Sequence, residues 1–194
     1  EKIKSYFKRF VLNTFCLLGQ GKVVAVSPWK AKTWNRSSDR IIKIAPSFLE
    51  QHPRKIKEKS SVMTVGNHFF SRKELNFSLV EKLQEKIPIF IYGENPGVQN
   101  NTNPKNRKEL AYYLSQHDIF LFTTPFPYND GYNTSVLEAM EAGLAVVGLK
   151  HPTSPVVHKK GGYLGKNTNE ILGYLTELIE NPLLAKQFGA FNQQ

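Results

Sequence analysis

Between residues 61 and 180, short runs that are apolar almost throughout alternate with segments whose apolar residues recur at helical spacing, and few folds accommodate that order. Val62-Met63-Thr64-Val65 ends at Gly66, Ile87 to Tyr92 ends at Gly93, Asp118 to Thr123 encloses Ile119-Phe120-Leu121-Phe122, and Ala145 to Leu149 follows Gly143 closely. Residues 73–85 carry Leu75, Phe77, Leu79, Val80 and Leu83 in a helical pattern, and residues 107–116, 134–142 and 168–180 read as further helices. Strands without polar alternation are buried on both faces, which calls for helices above and below a parallel sheet. The pattern therefore predicts a doubly wound α/β fold, whose ligands sit at the carboxyl ends of the strands. Residues 94–106, rich in Asn and Pro, read as a loop, and no internal repeat is present.

The preceding residues are of a different kind. Residues 2–18 place Ile3, Phe7, Phe10, Val11, Leu17 and Leu18 at near-helical spacing with Lys4, Lys8 and Arg9 between them, and Gly19 is the expected stop. Val23 to Val26 and the run ending at Pro46 read as two short strands, and the charged stretch 50–60 reads as a linker. The net charge of +10 separates along the same line: residues 1–60 hold 14 Lys and Arg against 4 Asp and Glu, whereas residues 61–194 hold 12 of each. A nucleic-acid groove would draw basic charge from the whole folded surface, and no such stripe interleaved with aromatics crosses residues 61–194, so no nucleic-acid partner is expected. A basic amphipathic helix instead suits an anionic membrane surface, or the packing of its apolar side on another domain. Cys16 stands alone, without a disulfide partner or metal-ligand spacing, and no apolar run reaches the length of a membrane span or the pattern of a signal peptide. The expected location is cytoplasmic, peripheral at the cytoplasmic face of a membrane. The start at Glu1 reads as a fragment or a processed product.

Chemistry concentrates in residues 118–147, DIFLFTTPFPYNDGYNTSVLEAMEAGLAVV. A strand runs into a loop holding Asp130-Gly131, and a helix opens at Asn133 or Thr134 with Glu138 on its second turn. The N–H groups and dipole at that helix start attract an anion such as a diphosphate, and Gly131 lets the chain approach it. Two carboxylates eight positions apart could flank the anion and accept hydrogen bonds from sugar hydroxyls. On bland readings Asp130-Gly131 is a turn and Glu138 a solvated helix residue. His68 and His117 read as structural, His158 with Lys159-Lys160 as an exposed loop, and Phe120, Phe122, Phe126 and Tyr128 as packing.

This stretch resembles the E-x7-E segment of retaining "group 1" glycosyltransferases of the GT-B fold, with Asp130 in the place of the first acid and Glu138 in that of the second. Ala139 to Val147 is similar to the family's helix-to-strand continuation, and Asp118-Ile119-Phe120-Leu121 resembles the strand before it. The likeness extends in order and spacing over about residues 20–190. It implies a Rossmann-like donor-binding domain at 61–194, a linker at 51–60, and in residues 1–50 the C-terminal part of an N-terminal Rossmann-like acceptor domain, the remainder coming from a longer chain or a separate subunit.

The resemblance also implies roles. Asp130 would contact the hydroxyls of the donor sugar, Glu138 the ribose of the nucleotide, and the amides around Gly131, Tyr132, Asn133, Thr134 and Ser135 the diphosphate and sugar. Val65-Gly66-Asn67 through Arg72-Lys73 resembles the family's phosphate-binding segment, with Asn67 where Arg is usual and Lys73 where Gly is usual. Arg72 and Lys73 are left to neutralise the leaving group. The family's Gly-Gly-x-x-Glu is replaced by His151-Pro152-Thr153-Ser154-Pro155. The implied enzyme is a metal-independent retaining hexosyltransferase without a cofactor, its partners a nucleotide-sugar donor and a lipid-linked or polysaccharide acceptor. Two other readings stay open: a catalytically silent nucleotide-sugar or phosphate-binding module, and a basic protein that docks on a membrane or partner.

Overall fold

The computed structural model describes residues 58–128 and 133–194, together with residues 7, 10, 11, 13–15, 18 and 19. The chain divides into two compact units, residues 1–45 and 46–194. Within the first, the described positions from 7 to 18 are helical, Thr14 Oγ1 donates to the Phe10 carbonyl at 2.9 Å, and the Gly19 N–H donates to Phe15 O at 2.9 Å. The two strands expected before residue 46 lie outside the described residues.

The second unit is built on a six-stranded, wholly parallel sheet. Its strands are β1 (Val62–Val65), β2 (Ile89–Tyr92), β3 (Asn101–Thr102), β4 (Ile119–Phe122), β5 (Ala145–Leu149) and β6 (Gly162–Gly165), in the spatial order β3-β2-β1-β4-β5-β6. The helices are α1 (Phe77–Gln84), α2 (Arg107–Ser115), α3 (Thr134–Glu141), α4 (Thr168–Glu180) and α5 (Pro182–Asn192), with a 3-10 turn at Lys73–Leu75. From β1 the chain winds outward through α1 to β2 and β3, crosses back through α2 to β4, and winds the other way through α3 to β5 and β6. Right-handed crossovers in opposite directions put their helices on opposite faces.

The core shows this division residue by residue. Val62, Ile89, Ile91, Ile119, Leu121 and Val147 point to the face covered by Leu79, Val80 and Leu83 of α1, Ile171, Leu175 and Leu178 of α4, and Phe188 of α5. Met63, Tyr92, Phe120, Phe122 and Val146 point to the face covered by Leu114 of α2 and Val136 and Ala139 of α3. All four residues of β4 are buried, as its apolar sequence requires.

Three elements were not legible in the sequence pattern. β3 lies within the expected loop and consists of two polar residues, Asn101 and Thr102. β6 reads Gly-Tyr-Leu-Gly, and both flanking glycines weaken the strand signal. α5 begins at Pro182 behind Asn181, whose side chain accepts from the Leu184 N–H at 3.1 Å. The single helix expected over 73–85 is instead broken at Asn76, which adopts the left-handed conformation at φ 49° and separates the 3-10 turn from α1. Phe126 and Tyr128, expected as packing, are exposed, whereas Phe120 and Phe122 are buried.

Two helical glycines provide a test of this packing. Gly→Ala inside a helix ordinarily stabilises by roughly 0.5–1 kcal/mol. A Cβ on Gly173 of α4 would meet nothing within 4 Å, whereas one on Gly189 of α5 would stand 1.9 Å from the Gly143 carbonyl oxygen. Gly173→Ala should raise the midpoint of chemical denaturation and Gly189→Ala should lower it, α5 being forced off the end of α3. Midpoints that moved in the same direction would contradict the contact.

Candidate functional site

The strand order reverses between β1 and β4, and the crevice at the carboxyl ends of those two strands is where a doubly wound sheet receives its ligand. Gly66 and Asn67 leave β1 there. The Gly66 N–H continues the ladder by donating to Tyr92 O at 2.9 Å, and Asn67 Oδ1 accepts from the Glu94 N–H at 2.9 Å. The Asn67 carbonyl group thus serves the neighbouring loop. Asn95 reinforces the same joint from a buried position: its Oδ1 accepts from the Phe69 N–H at 3.0 Å, and its Nδ2 donates to Gly66 O at 2.7 Å and Asn101 Oδ1 at 2.9 Å. Gly93 allows the loops to close, because a Cβ there, at φ +136°, would stand 2.1 Å from the Gly66 oxygen.

Arg72 and Lys73 open the 3-10 turn on one side of the crevice. That turn is fastened to the end of β4, where Thr123 Oγ1 donates to Leu75 O at 2.5 Å and Asn76 Nδ2 donates to Thr123 O at 3.4 Å. Lys73 is exposed. Arg72 donates through Nε to Glu74 Oε1 at 2.9 Å, and this contact holds the Glu74 carboxyl below its ordinary value. Part of the Arg72 charge is therefore already matched within the protein.

Across the crevice, α3 begins at Asn133, which has extended backbone and caps the helix by accepting from the Val136 N–H at 2.9 Å and from Ser135 Oγ at 3.0 Å. Other N–H groups of the first turn remain without an intrahelical acceptor, in the position that attracts an anion. Asp130, Gly131 and Tyr132 lie outside the described residues.

Glu138 is not a solvated helix residue. Its side chain is only 12% exposed, and Oε1 accepts from Arg107 Nη2 at 2.6 Å. Arg107 is the first residue of α2, whose cap Asn106 accepts from the Glu109 N–H at 3.0 Å. Arg107 falls outside every motif of the sequence, although a local signal marks it. A cation in the first turn opposes the helix dipole, so Arg107 directly after a capping Asn points to a partner elsewhere. The pair joins two helices on the same face and holds a carboxylate beside the crevice.

His151 stands beyond the end of β5, in the segment that replaces the expected Gly-Gly-x-x-Glu. It is buried, accepts at Nδ1 from Thr153 Oγ1 at 2.9 Å and the Thr153 N–H at 3.3 Å, and lies edge-on to Phe126 with ring centroids 5.7 Å apart. Two further histidines have internal partners. His117 is buried between Tyr92 OH at 2.8 Å and Ser61 Oγ at 3.1 Å, and His68 lies 3.8 Å from Glu94. Among the described residues, no group of three or more His, Cys, Asp or Glu side chains converges as a metal site, and no helix is long and apolar enough to cross a membrane.

Solved structures share this architecture. TarM of S. aureus is similar at 18% identity with a TM-score of 0.68, covering 89% of this chain and 39% of its own. HepE of Anabaena is similar at 13% identity and a TM-score of 0.70, covering 89% of this chain and 57% of its own. The C-terminal domain of LpcC, a group 1 family glycosyltransferase from Francisella tularensis, is similar at 17% identity and a TM-score of 0.54, covering 69% of this chain and 82% of its own. The chain thus spans about two fifths to three fifths of the length of TarM and HepE. No curated protein sequence matches it. Residues 45–181 match the family described as glycosyl transferases group 1, and with the doubly wound fold of GT-B glycosyltransferases beneath that match, the chain belongs to this family.

Proposed function

We propose that the chain is the donor-binding part of a GT-B glycosyltransferase that moves a hexose from a nucleotide sugar to an acceptor with retention of configuration. The observation that carries this reading is Glu138, a carboxylate withdrawn from solvent on the second turn of a helix that opens at the switch point of the sheet. Glu138 would accept from the ribose hydroxyls, and Asp130 from hydroxyls of the sugar. As the bond from the anomeric carbon to the diphosphate breaks, negative charge gathers on the leaving phosphate; the acceptor oxygen bonds on the same face, and its hydroxyl proton passes to the departing phosphate oxygen. We assign its stabilisation to the α3 N–H groups with Lys73 and Arg72, rather than to a metal ion or a cofactor. Preorganised donors of this kind contribute about 2.7–4 kcal/mol each. TarM has been crystallised with UDP, and HepE with UDP and with UDP-glucose, which makes UDP the first nucleotide to try. The acceptor on this reading is a lipid-linked or polysaccharide hydroxyl, presented by residues 1–50 and the rest of an N-terminal domain.

A second reading, a binding module without transfer activity, is favoured by the Asn67 and Arg72 contacts. Asn67 supplies no cation and Arg72 is shared with Glu74, so the diphosphate has less positive charge to meet. Release of sugar from UDP-glucose, to water or to an acceptor, separates the two readings.

Titration calorimetry tests the site. Glu138→Gln should weaken UDP binding, whereas Asp130→Asn should spare UDP and reduce discrimination among UDP-sugars, because a site built around a hydroxyl rejects analogues that lack it. Both variants binding both ligands like wild type would remove the chemical basis of the assignment. Replacing Arg72 and Lys73 together with Ala should cost UDP a few kcal/mol at most, at about 1.5–3 kcal/mol for each charge-assisted hydrogen bond. Uridine should be affected less, and equal losses for the two would place the phosphate elsewhere.

The N-terminal helix we read as a peripheral membrane contact on the cytoplasmic face. Phe7, Phe10, Phe15 and Leu18 are exposed, and Lys4, Lys8 and Arg9 would add roughly 1 kcal/mol each near an anionic surface. The chain should float with anionic liposomes and be released by salt. Failure to float would assign the apolar side to packing on another domain.

A further inference from the structure

Two strands beyond β4 in the sheet, β6 and the start of α4 border a cavity of about 420 Å³, lined by Lys150, His158, Leu164, Lys166, Glu170 and Tyr174. Lys150 follows β5 and Lys166 follows β6, so both belong to the carboxyl rim of the sheet. His158 accepts at Nδ1 from the Leu164 N–H at 3.0 Å. That contact leaves the proton of the neutral ring on Nε2, which makes the free edge of the ring a donor.

Glu170 is the one carboxylate of the lining, and both its oxygens are engaged at the helix start. Oε2 accepts from the Lys166 N–H at 2.9 Å and Oε1 from Asn167 Nδ2 at 3.4 Å, while Asn167 Oδ1 accepts from the Glu170 N–H at 3.0 Å. The acid serves the N-terminus of α4. The residues that line the cavity bring two ammonium groups, an imidazole N–H and the Tyr174 hydroxyl to its borders. The wall behind them is fixed, since the Tyr174 ring stacks on Tyr163 at 4.5 Å between centroids. The wall itself is largely apolar, and the two lysines against one engaged carboxylate leave it an excess positive charge that suits an oxyanion, lysine ammonium groups being compact phosphate ligands.

We propose that this cavity is a subsite for an oxyanion group, a phosphate or a sulfate, carried by the acceptor. With β5 between β4 and β6, adjacent strands being about 4.8 Å apart, the cavity stands on the order of 10 Å from the end of β4. A diphosphate seated at the start of α3 does not reach it, whereas a molecule lying along the carboxyl rim meets both places. The acceptor role rests on the function proposed above. Oxyanion binding does not.

The test is a ¹H–¹⁵N NMR titration of the full chain with inorganic phosphate, read at the Leu164 and Lys166 amides. The expected result is a saturable shift at both, weakened by about tenfold or more in a Lys150→Ala/Lys166→Ala variant. Both lysines are exposed, so the variant should fold, and the exposed pair Lys105→Ala/Lys108→Ala serves as the charge-matched control with unchanged affinity. Shifts that do not saturate, or equal affinity in the two double variants, would overturn the proposal. Phosphate should bind equally well to protein saturated with UDP. Displacement by UDP would make the cavity part of the donor site and overturn the subsite. If UDP itself does not bind, the donor reading falls while the phosphate titration still decides the subsite. A short phosphodiester chain and a sulfated oligosaccharide, compared in the same titration, identify the source of the oxyanion by which binds more tightly.

Discussion

The parting of the chain at β1 and β4 governs the rest of the second unit. Because the two halves of the sheet wind away from that line in opposite directions, α1 is placed on one face and α3 on the other, and a crevice opens between the loops that leave β1 and β4. The groups that face it are set by this divergence rather than by local sequence. The 3-10 turn at Lys73–Leu75 belongs to the left half and the end of β4 to the right. The Thr123–Leu75 and Asn76–Thr123 hydrogen bonds close the seam between them. The floor of the crevice is thus held by side chains bonded to main-chain carbonyls.

The left wall of the crevice is organised by amides rather than charges. Asn67 and Asn95 bind the loops after β1 and β2 into one body, each using its side chain against a backbone group of the other loop, and Asn101 ties the second loop back on itself through Gly93 and Asn95. Around the buried Asn95 the network is worth more than its separate bonds, because losing a partner there leaves a buried donor or acceptor unmatched. Asn67 therefore differs from an arginine in two ways: it brings no positive charge, and it contributes to rigidity.

Reading the sequence recovered what periodicity controls. The apolar runs at 62–65, 119–122 and 145–149 are strands, and the helical pattern at 168–180 coincides with α4. It did not recover what depends on distant partners. β3 has no apolar residue to announce it and exists because Asn101 can bond Gly93 and Asn95. The break at Asn76 joins a local preference, the tolerance of Asn for the left-handed conformation, to a partner no pattern announces, Thr123, 47 positions away. In the site, Glu138 and the Asn133 cap were legible from spacing, while the Glu138 partner had to be found in space. Arg107 is 31 positions earlier and on another helix.

That ion pair has a mechanical consequence. Arg107 is 61% exposed, so its bond to Glu138 contributes little to stability, about 0–1 kcal/mol for a pair of this kind. Its worth lies in alignment. It fixes the carboxylate in one orientation, and a competing hydroxyl can take its place at almost no cost in folding energy. Two helices that cover one face of the sheet are thereby tied to one another through a single carboxylate, the first residue of one against the second turn of the other.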